Sequence, residues 1–204
     1  MKIIQILFVM AFLTSCNFQK SDEQKTTFEI ETLNKKEQES SNIQNNQDEL
    51  IATIEFGIKA NKEESNDFEN GIIPWISIEK PEDEINRLID ADKIVITYSE
   101  IILIIDYPLN KPAKFIVKSS GKGFTKKQLV LEISKKYHEI YKTEESSAKT
   151  KTIPVKEREG LINRNETDGK YGIWGHDISD LDLSSVEVYK TENGKIQVLL
   201  GIES

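Results

Sequence analysis

The order of apolar and polar residues divides the chain into three parts. Residues 3–13 are almost wholly apolar, residues 17–47 are mostly polar with isolated apolar side chains at no sustained period, and the apolar density stays high from Asp48 to the C-terminus. A segment without a periodic apolar face cannot bury enough surface to offset the entropy lost on ordering. We therefore predict a flexible polar tether over residues 16–47 and a single folded domain over residues 48–204.

Strand-like patterns recur through this domain. Apolar residues alternate between positions 50 and 58 and again between 114 and 119, which predicts half-buried strands. The uninterrupted apolar run 101–105 predicts a central strand, while Pro74 marks residues 72–78 as an edge or a bulge. We expect residues 93–97 and 101–107 to form a hairpin, and residues 186–192 and 195–202 to form a C-terminal hairpin with a type I′ turn at Asn193-Gly194.

One helix has a clear signature. Thr125 and Gln128 have the spacing of a capping box, and an apolar stripe at helical spacing follows them as far as Tyr141. The stretch 143–158 is polar, and we expect it to be a mobile excursion. Strands in runs with one long helix indicate an α+β fold: a mainly antiparallel sheet, a long amphipathic helix packed on one face, and a C-terminal β-hairpin.

Composition limits the chemistry that this domain can perform. The 204 residues include 27 Lys and Arg against 35 Asp and Glu, a formal net charge of −8, so binding to nucleic acid is disfavoured. One Cys and two His residues disfavour a disulfide, a thiolate zinc site or a His-rich metal centre. We expect neither a metal nor a cofactor.

The N-terminus has the form of an export signal. Met1 and Lys2 precede an apolar run about half as long as the roughly 20 residues that a membrane-spanning helix needs, which is typical of a signal peptide over residues 1–15. The motif Leu13-Thr14-Ser15-Cys16 resembles the lipobox of bacterial lipoproteins. The resemblance implies that Cys16 receives a diacylglyceryl group, that the signal is removed before it, and that the new N-terminus is acylated. The alternatives are an ordinary secretory signal or an N-terminal core helix.

Residues after Cys16 bear on the final location. Asn17 stands where an Asp would resemble an inner-membrane retention signal, so we expect an outer-membrane lipoprotein. The acidic stretch 20–23 resembles a short signal for export to the cell surface, or it is a solvated charge cluster. The resemblance therefore implies a membrane partner through the N-terminal lipid, on the periplasmic side or the cell surface. An envelope protein or a glycan is a further expected partner, and the oligomeric state stays open.

Aromatic, glycine, His and acidic residues are concentrated in the segment 163–180. Its stretch Tyr171 to Asp177 resembles a motif of uncharacterised bacterial proteins, a similarity that runs from about residue 123 to 202 and implies no activity. Glycines there let Trp174 reach the core while Asp177 caps a one-turn helix, which is the structural interpretation.

A second interpretation makes the same segment a recognition loop. Tyr171 and Trp174 would then be flat platforms for a sugar or a peptide, with polar contacts from Asp168, His176 and Asp177. Trp75 could add another platform. We therefore predict a non-enzymatic binding or interaction module; the alternative is a hydrolase that uses His176 with a carboxylate. Exposure of these side chains distinguishes the three interpretations.

Overall fold

The computed structural model describes residues 48–159 and 163–204. The predicted signal peptide, the lipid attachment site Cys16 and the tether lie outside the described residues. The strands, numbered in chain order, are β1 (Glu49–Glu55), β2 (Ile58–Lys59), β3 (Ile72–Ile73), β4 (Ile76–Ser77), β5 (Ile94–Ile96), β6 (Glu100–Ile105), β7 (Ala113–Lys118), β8 (Phe124–Thr125), β9 (Asp182–Lys190) and β10 (Ile196–Glu203).

The main sheet has the strand order β1-β9-β10-β6-β7, and β4 pairs with the start of β9 beyond the end of β1. Its pairings are antiparallel except for that between β10 and β6, which is parallel. Two small two-stranded sheets, β2-β3 and β5-β8, lie beside it. This architecture confirms the predicted α+β fold with a mainly antiparallel sheet.

The α-helices of the described chain are α1 (Pro81–Glu84) and α2 (Lys126–Ser147). Short 3-10 helices span Glu64–Asn66, Glu69–Gly71, Ile85–Arg87, Val155–Glu157 and Ile178–Asp180. No helix within residues 48–159 and 163–204 has both the length and the apolar composition needed to cross a bilayer.

Helix α2 begins at the predicted capping box. The Gln128 backbone N–H donates to Thr125 Oγ1 at 3.2 Å, and the Thr125 N–H donates to Gln128 Oε1 at 3.0 Å. Two buried hydroxyls fix the helix to the rest of the fold, because Ser134 Oγ donates to the Ile78 carbonyl at 2.7 Å and Tyr137 Oη donates to the Tyr107 carbonyl at 2.8 Å. The predicted apolar stripe is confirmed by the buried residues Leu129, Val130, Ile133, Tyr137 and Ile140.

The C-terminal hairpin is confirmed as β9 and β10, but its predicted turn type is wrong. A type I′ turn needs positive φ at both central residues. Positive φ occurs at Gly194 (73°) and not at Asn193. Thr191 pairs with Lys195 across the loop, with a distance of 2.9 Å from its N–H to the Lys195 carbonyl. The connection is therefore a three-residue loop that ends on a left-handed glycine.

The hairpin expected between residues 93–97 and 101–107 is also wrong. Strand β5 pairs with β8, whereas β6 lies between β10 and β7 as the predicted central strand. The pairing of β5 with β8 needs a very close backbone approach, and a Cβ at Gly123 would lie 2.2 Å from the Ile96 carbonyl oxygen. A short apolar run specifies a strand without specifying its partner, so a polar turn beside it is weak evidence for a hairpin.

Candidate functional site

The segment 163–177, which we call the candidate segment, lies against the loop that follows β6, residues 106–112. The Asn110 N–H donates to the Gly172 carbonyl at 2.9 Å, the Lys111 N–H to the Tyr171 carbonyl at 2.9 Å, and the Trp174 N–H to the Pro108 carbonyl at 3.2 Å. These bonds hold the residues predicted from the sequence against residues 108–111.

The two aromatic residues predicted as platforms are core residues. Tyr171 is 7% exposed and Trp174 is 5% exposed, and both belong to the hydrophobic core cluster. The Trp174 ring packs edge-on against Tyr107, with 5.2 Å between centroids. Neither ring has a face open to a ligand, which is the arrangement that the structural interpretation predicts. Trp75 is half-buried and packs edge-on against Phe68 at 5.6 Å.

His176 is half-buried beside the same aromatic group. Its ring lies 5.5 Å from Tyr107 and 6.3 Å from Trp174, and its backbone carbonyl accepts a hydrogen bond from Tyr141 Oη at 2.9 Å. The neighbouring Asp177 carboxylate is bound to two arginines.

The two arginines and Asp177 form an ion cluster, which we call the Asp177 cluster (Arg158, Arg164 and Asp177). Arg158 holds both carboxylate oxygens, with Nη1 to Oδ2 at 2.7 Å and Nη2 to Oδ1 at 3.0 Å, while Arg164 Nη1 lies 3.2 Å from Oδ1. Both guanidinium side chains are almost fully buried, and Arg164 also packs over the Tyr141 ring at 5.3 Å.

Electrostatics in the Asp177 cluster favour the charged forms. Burial alone would raise the pKa of Asp177, but hydrogen bonds and charge from Arg158 and Arg164 lower it below its ordinary value. The hydrogen bond to Asp177 raises the pKa of Arg158. Asp177 also stands, as predicted, at the N-cap of a single helical turn, Ile178–Asp180. Through its Arg164–Asp177 ion pair, the Asp177 cluster joins the start of the segment 163–177 to its end.

Sequence reasoning missed the residue that organises this region. Glu144, on the last turn of α2, has no exposed surface. Its Oε1 accepts from Thr167 Oγ1 at 2.7 Å and from the Gly169 N–H at 2.7 Å, and its Oε2 accepts from the N–H groups of Tyr171 at 2.8 Å and Gly172 at 3.2 Å. One carboxylate thus receives four donors from a single loop, residues 167–172, which we call the Glu144 loop.

The geometry of the Glu144 loop depends on glycine. A Cβ at Gly169 would lie 2.6 Å from the Glu144 carboxylate carbon, and a Cβ at Gly172, where φ is 67°, would lie 2.9 Å from Asn110 Nδ2. Burial alone would raise the pKa of Glu144, but its four hydrogen bonds lower it below the ordinary value. The carboxylate is therefore charged at neutral pH and holds the loop in one shape.

Helix α2 extends beyond its predicted end and includes Glu144. Residues 143–147 are helical, and the expectation of a mobile excursion from residue 143 is wrong for them. No local pattern marks Glu144, since it stands in a polar stretch and its partners follow 23 to 28 positions later. The glycines of the segment 163–180 were the one available signal, because they allow backbone N–H groups to converge on an anion.

A small open cleft of about 290 Å³ lies on the solvent side of the Glu144 loop. Its polar groups come from the loop after β6 and from residues 166–172. The Asn110 side-chain amide donates a hydrogen bond to the Glu166 carboxylate, which joins the two sides of the cleft. Asp168 Oδ1 accepts from the N–H groups of Lys149 at 2.9 Å and Thr150 at 2.7 Å, so this carboxylate also fixes the chain after α2. The lining residues are Asn110, Lys111, Glu166, Thr167, Asp168, Gly169 and Gly172.

The cleft offers amide, carboxylate and ammonium groups on a fixed backbone. Such groups can form hydrogen bonds with a small polar ligand without changing their own geometry. Within the part of the chain that the structure describes, no three His, Cys, Asp or Glu side chains are grouped so that they could hold a metal ion.

Comparisons with known proteins give no relative for this chain: no protein-family model, no curated protein and no solved structure matches it. The resemblance of Tyr171 to Asp177 to a motif of uncharacterised proteins stays a prediction.

Proposed function

We propose that this protein is a lipid-anchored lipoprotein of the bacterial envelope, whose folded domain binds a polar ligand and catalyses no reaction. The anchor is the acylated Cys16. The binding surface is the cleft between the Glu144 loop and residues 110–111, and the ligand class that suits it is an envelope glycan. The outer membrane is the proposed location, on its periplasmic side or at the cell surface.

The anchor is supported by the sequence of the N-terminus. The apolar run is too short to span a bilayer and ends at Leu13-Thr14-Ser15-Cys16, with small residues before the only Cys of the chain. Several acyl chains on one residue give firm attachment, because each buried CH₂ contributes about 0.8 kcal/mol.

Binding is supported most by the Glu144 loop. A buried carboxylate with four donors fixes the backbone that forms one wall of the cleft. Charge-assisted hydrogen bonds of this kind are the strong ones, and they leave the wall in one conformation before any ligand arrives. Pre-organisation of this kind increases affinity because little ordering is left to occur on binding.

The geometry favours binding over the hydrolase alternative. The carboxylate next to His176 in the sequence, that of Asp177, binds Arg158 and Arg164 and links the two ends of the segment 163–177. The cleft and His176 also belong to different parts of the segment, since His176 is not among the residues that line the cleft.

The binding proposal is tested by titration calorimetry of the full mature protein with soluble oligosaccharides released from bacterial envelopes. We expect Glu166→Gln to weaken binding about tenfold or more, because a hydrogen bond to a charged group contributes about 1.5 to 3 kcal/mol. The matched control is Glu192→Gln in the exposed β9–β10 turn, which should bind like the wild type. Absence of any heat of binding, or an equal loss in both variants, would contradict a glycan site in the cleft.

A further inference from the structure

The chain between α2 and the candidate segment exposes an apolar turn. Ile153 is 43% exposed and Val155 is 60% exposed, and Pro154 between them is exposed as well. We call residues 149–159 the 149–159 loop and residues 153–155 its tip. Three consecutive apolar residues at a loop tip are costly in water, because exposed aliphatic surface lowers stability and promotes association.

The backbone at the start of the tip is fixed by the side chains of Asn165 and Arg158. Asn165 Oδ1 accepts from the Ile153 N–H at 2.7 Å, and the Asn165 amide donates to the Lys151 carbonyl at 3.1 Å. Arg158 Nε donates to the Ile153 carbonyl at 2.9 Å, while the same guanidinium binds Asp177. The tip is therefore held outward by specific hydrogen bonds.

Basic side chains surround the tip. Lys149, Lys151 and Lys156 are exposed, as are the two acidic residues of the loop, Glu157 and Glu159. Because Arg158 is buried and paired with Asp177, the exposed part of the loop has a formal charge of +1. The chain as a whole has a formal charge of −8, so the exposed part of this loop differs in sign from the chain as a whole. An exposed apolar tip flanked by lysines matches an anionic bilayer surface, where the lysines pair with phosphate groups and the aliphatic side chains enter the acyl boundary.

We propose that the 149–159 loop is a membrane-docking loop for anionic phospholipid. The occupant is the headgroup and upper acyl region of the bilayer, and Ile153 and Val155 are the inserted side chains. The inference rests on the proposed anchor, because acylation of Cys16 would keep the loop close to the membrane. Docking through this loop would fix the orientation of the domain, and the cleft beside Asp168 would take a defined position relative to the lipid surface.

The single Cys of the chain allows a direct test. If Cys16 is acylated, the mature protein has no free thiol, so Val155→Cys introduces one labelling site for an environment-sensitive fluorophore. The full lipidated protein is reconstituted into vesicles of phosphatidylcholine alone or with about one third phosphatidylglycerol. The matched control is Asn193→Cys, at an exposed turn with a polar side chain.

We expect a blue-shifted, bilayer-like emission from position 155 on the anionic vesicles, and a water-like emission from position 193 on both vesicle types. In the Val155→Cys background, Lys149→Gln with Lys156→Gln should lower the equilibrium constant for docking of the loop, measured from the blue-shifted share of the emission, by about 5-fold for each lysine removed, equivalent to the roughly 1 kcal/mol that one basic residue contributes at an anionic surface. A water-like emission from position 155 on anionic vesicles would overturn the proposal. So would a blue shift that appears only after an acidic protein is added, since the loop would then be a protein-binding surface.

Failure of the docking loop and failure of the anchor give different results. If the label reacts with Cys16 in the protein that lacks the Val155→Cys substitution, the proposed acylation is wrong. If Cys16 does not react with the label and the label at position 155 of the anchored protein stays in water, the docking loop alone is contradicted.

Discussion

Glu144 is a charged side chain without exposed surface, and its four partners all come from residues 167–172. Burying a carboxylate is costly unless hydrogen bonds replace its water. The replacement here comes from three backbone N–H groups and one hydroxyl, so the carboxylate and the loop each depend on the other. Such an arrangement is set by tertiary contact, and this is why no pattern around residue 144 predicted it.

We predict that Glu144→Gln lowers the free energy of unfolding by about 2 to 3 kcal/mol, because the new amide N–H₂ faces two backbone donors and leaves them unsatisfied. Urea denaturation measures the change. Glu145→Gln is the matched control on the same helical turn, and as an exposed substitution it should stay within about 0.5 kcal/mol of the wild type. Equal stability of both variants would show that the buried carboxylate is not what holds the loop.

Trp174 was open to two interpretations in the sequence, and its burial against Tyr107 makes it a core residue. We predict that Trp174→Ala costs about 3 to 5 kcal/mol, as truncation of a large buried aromatic typically does. His176→Ala should cost much less, because that ring is only half-buried. Thermal or urea unfolding of the two variants decides the matter, and a Trp174→Ala protein that unfolds like the wild type would contradict the assignment.

Elements with strong local signals were predictable and elements defined by distant partners were not. Helix α2 has its capping box and apolar stripe, and strand β6 has a continuous apolar run, so periodicity alone located both. Strands β5 and β8 are short, and their pairing depends on a close approach at Gly123 that no local pattern encodes. The same limit applied to the site. The composition of the segment 163–180 indicates an unusual region, but the roles of its residues depend on contacts with α2 and with the loop after β6.

The segment 163–177 as a unit should be sensitive to acid. Two carboxylates hold it, Glu144 and Asp177, and the pKa of each is lower in the folded protein than its ordinary value. A lowered pKa means that the stabilisation is fully present above the ordinary carboxyl pKa, about 4, and is lost as the pH falls through the folded-state values.

We therefore predict that the melting temperature is constant from neutral pH to about pH 5 and falls steeply below about pH 4. Calorimetry across this range gives the measurement. Asp177→Asn should lower stability at pH 7 and flatten the acid dependence, because one carboxylate with a lowered pKa is gone. A variant with the same steep acid limb as the wild type would show that Asp177 does not contribute to it.

At the scale of the whole molecule, one apolar core joins the sheet, α2 and the candidate segment. The sequence predicts that residues before Asp48 contribute nothing to this core, since they have no periodic apolar face. We expect a chain that starts at Asp48 to unfold cooperatively at the same temperature as the full mature protein. A loss of several degrees, which for a domain of this size corresponds to about 1 to 2 kcal/mol, would show that the segment before Asp48 packs on the domain.

We propose that the mature protein is a lipoprotein anchored through Cys16, and the intact mass of the protein purified from its own membranes tests this proposal most directly. We predict a chain that begins at Cys16 and exceeds the mass of residues 16–204 by a diacylglyceryl group, with or without one further acyl chain. The Cys16→Ala variant should keep the mass of the uncleaved chain. In detergent phase separation it should move from the detergent phase to the aqueous phase. A protein that starts elsewhere, or that starts at Cys16 with a free thiol, would contradict the account.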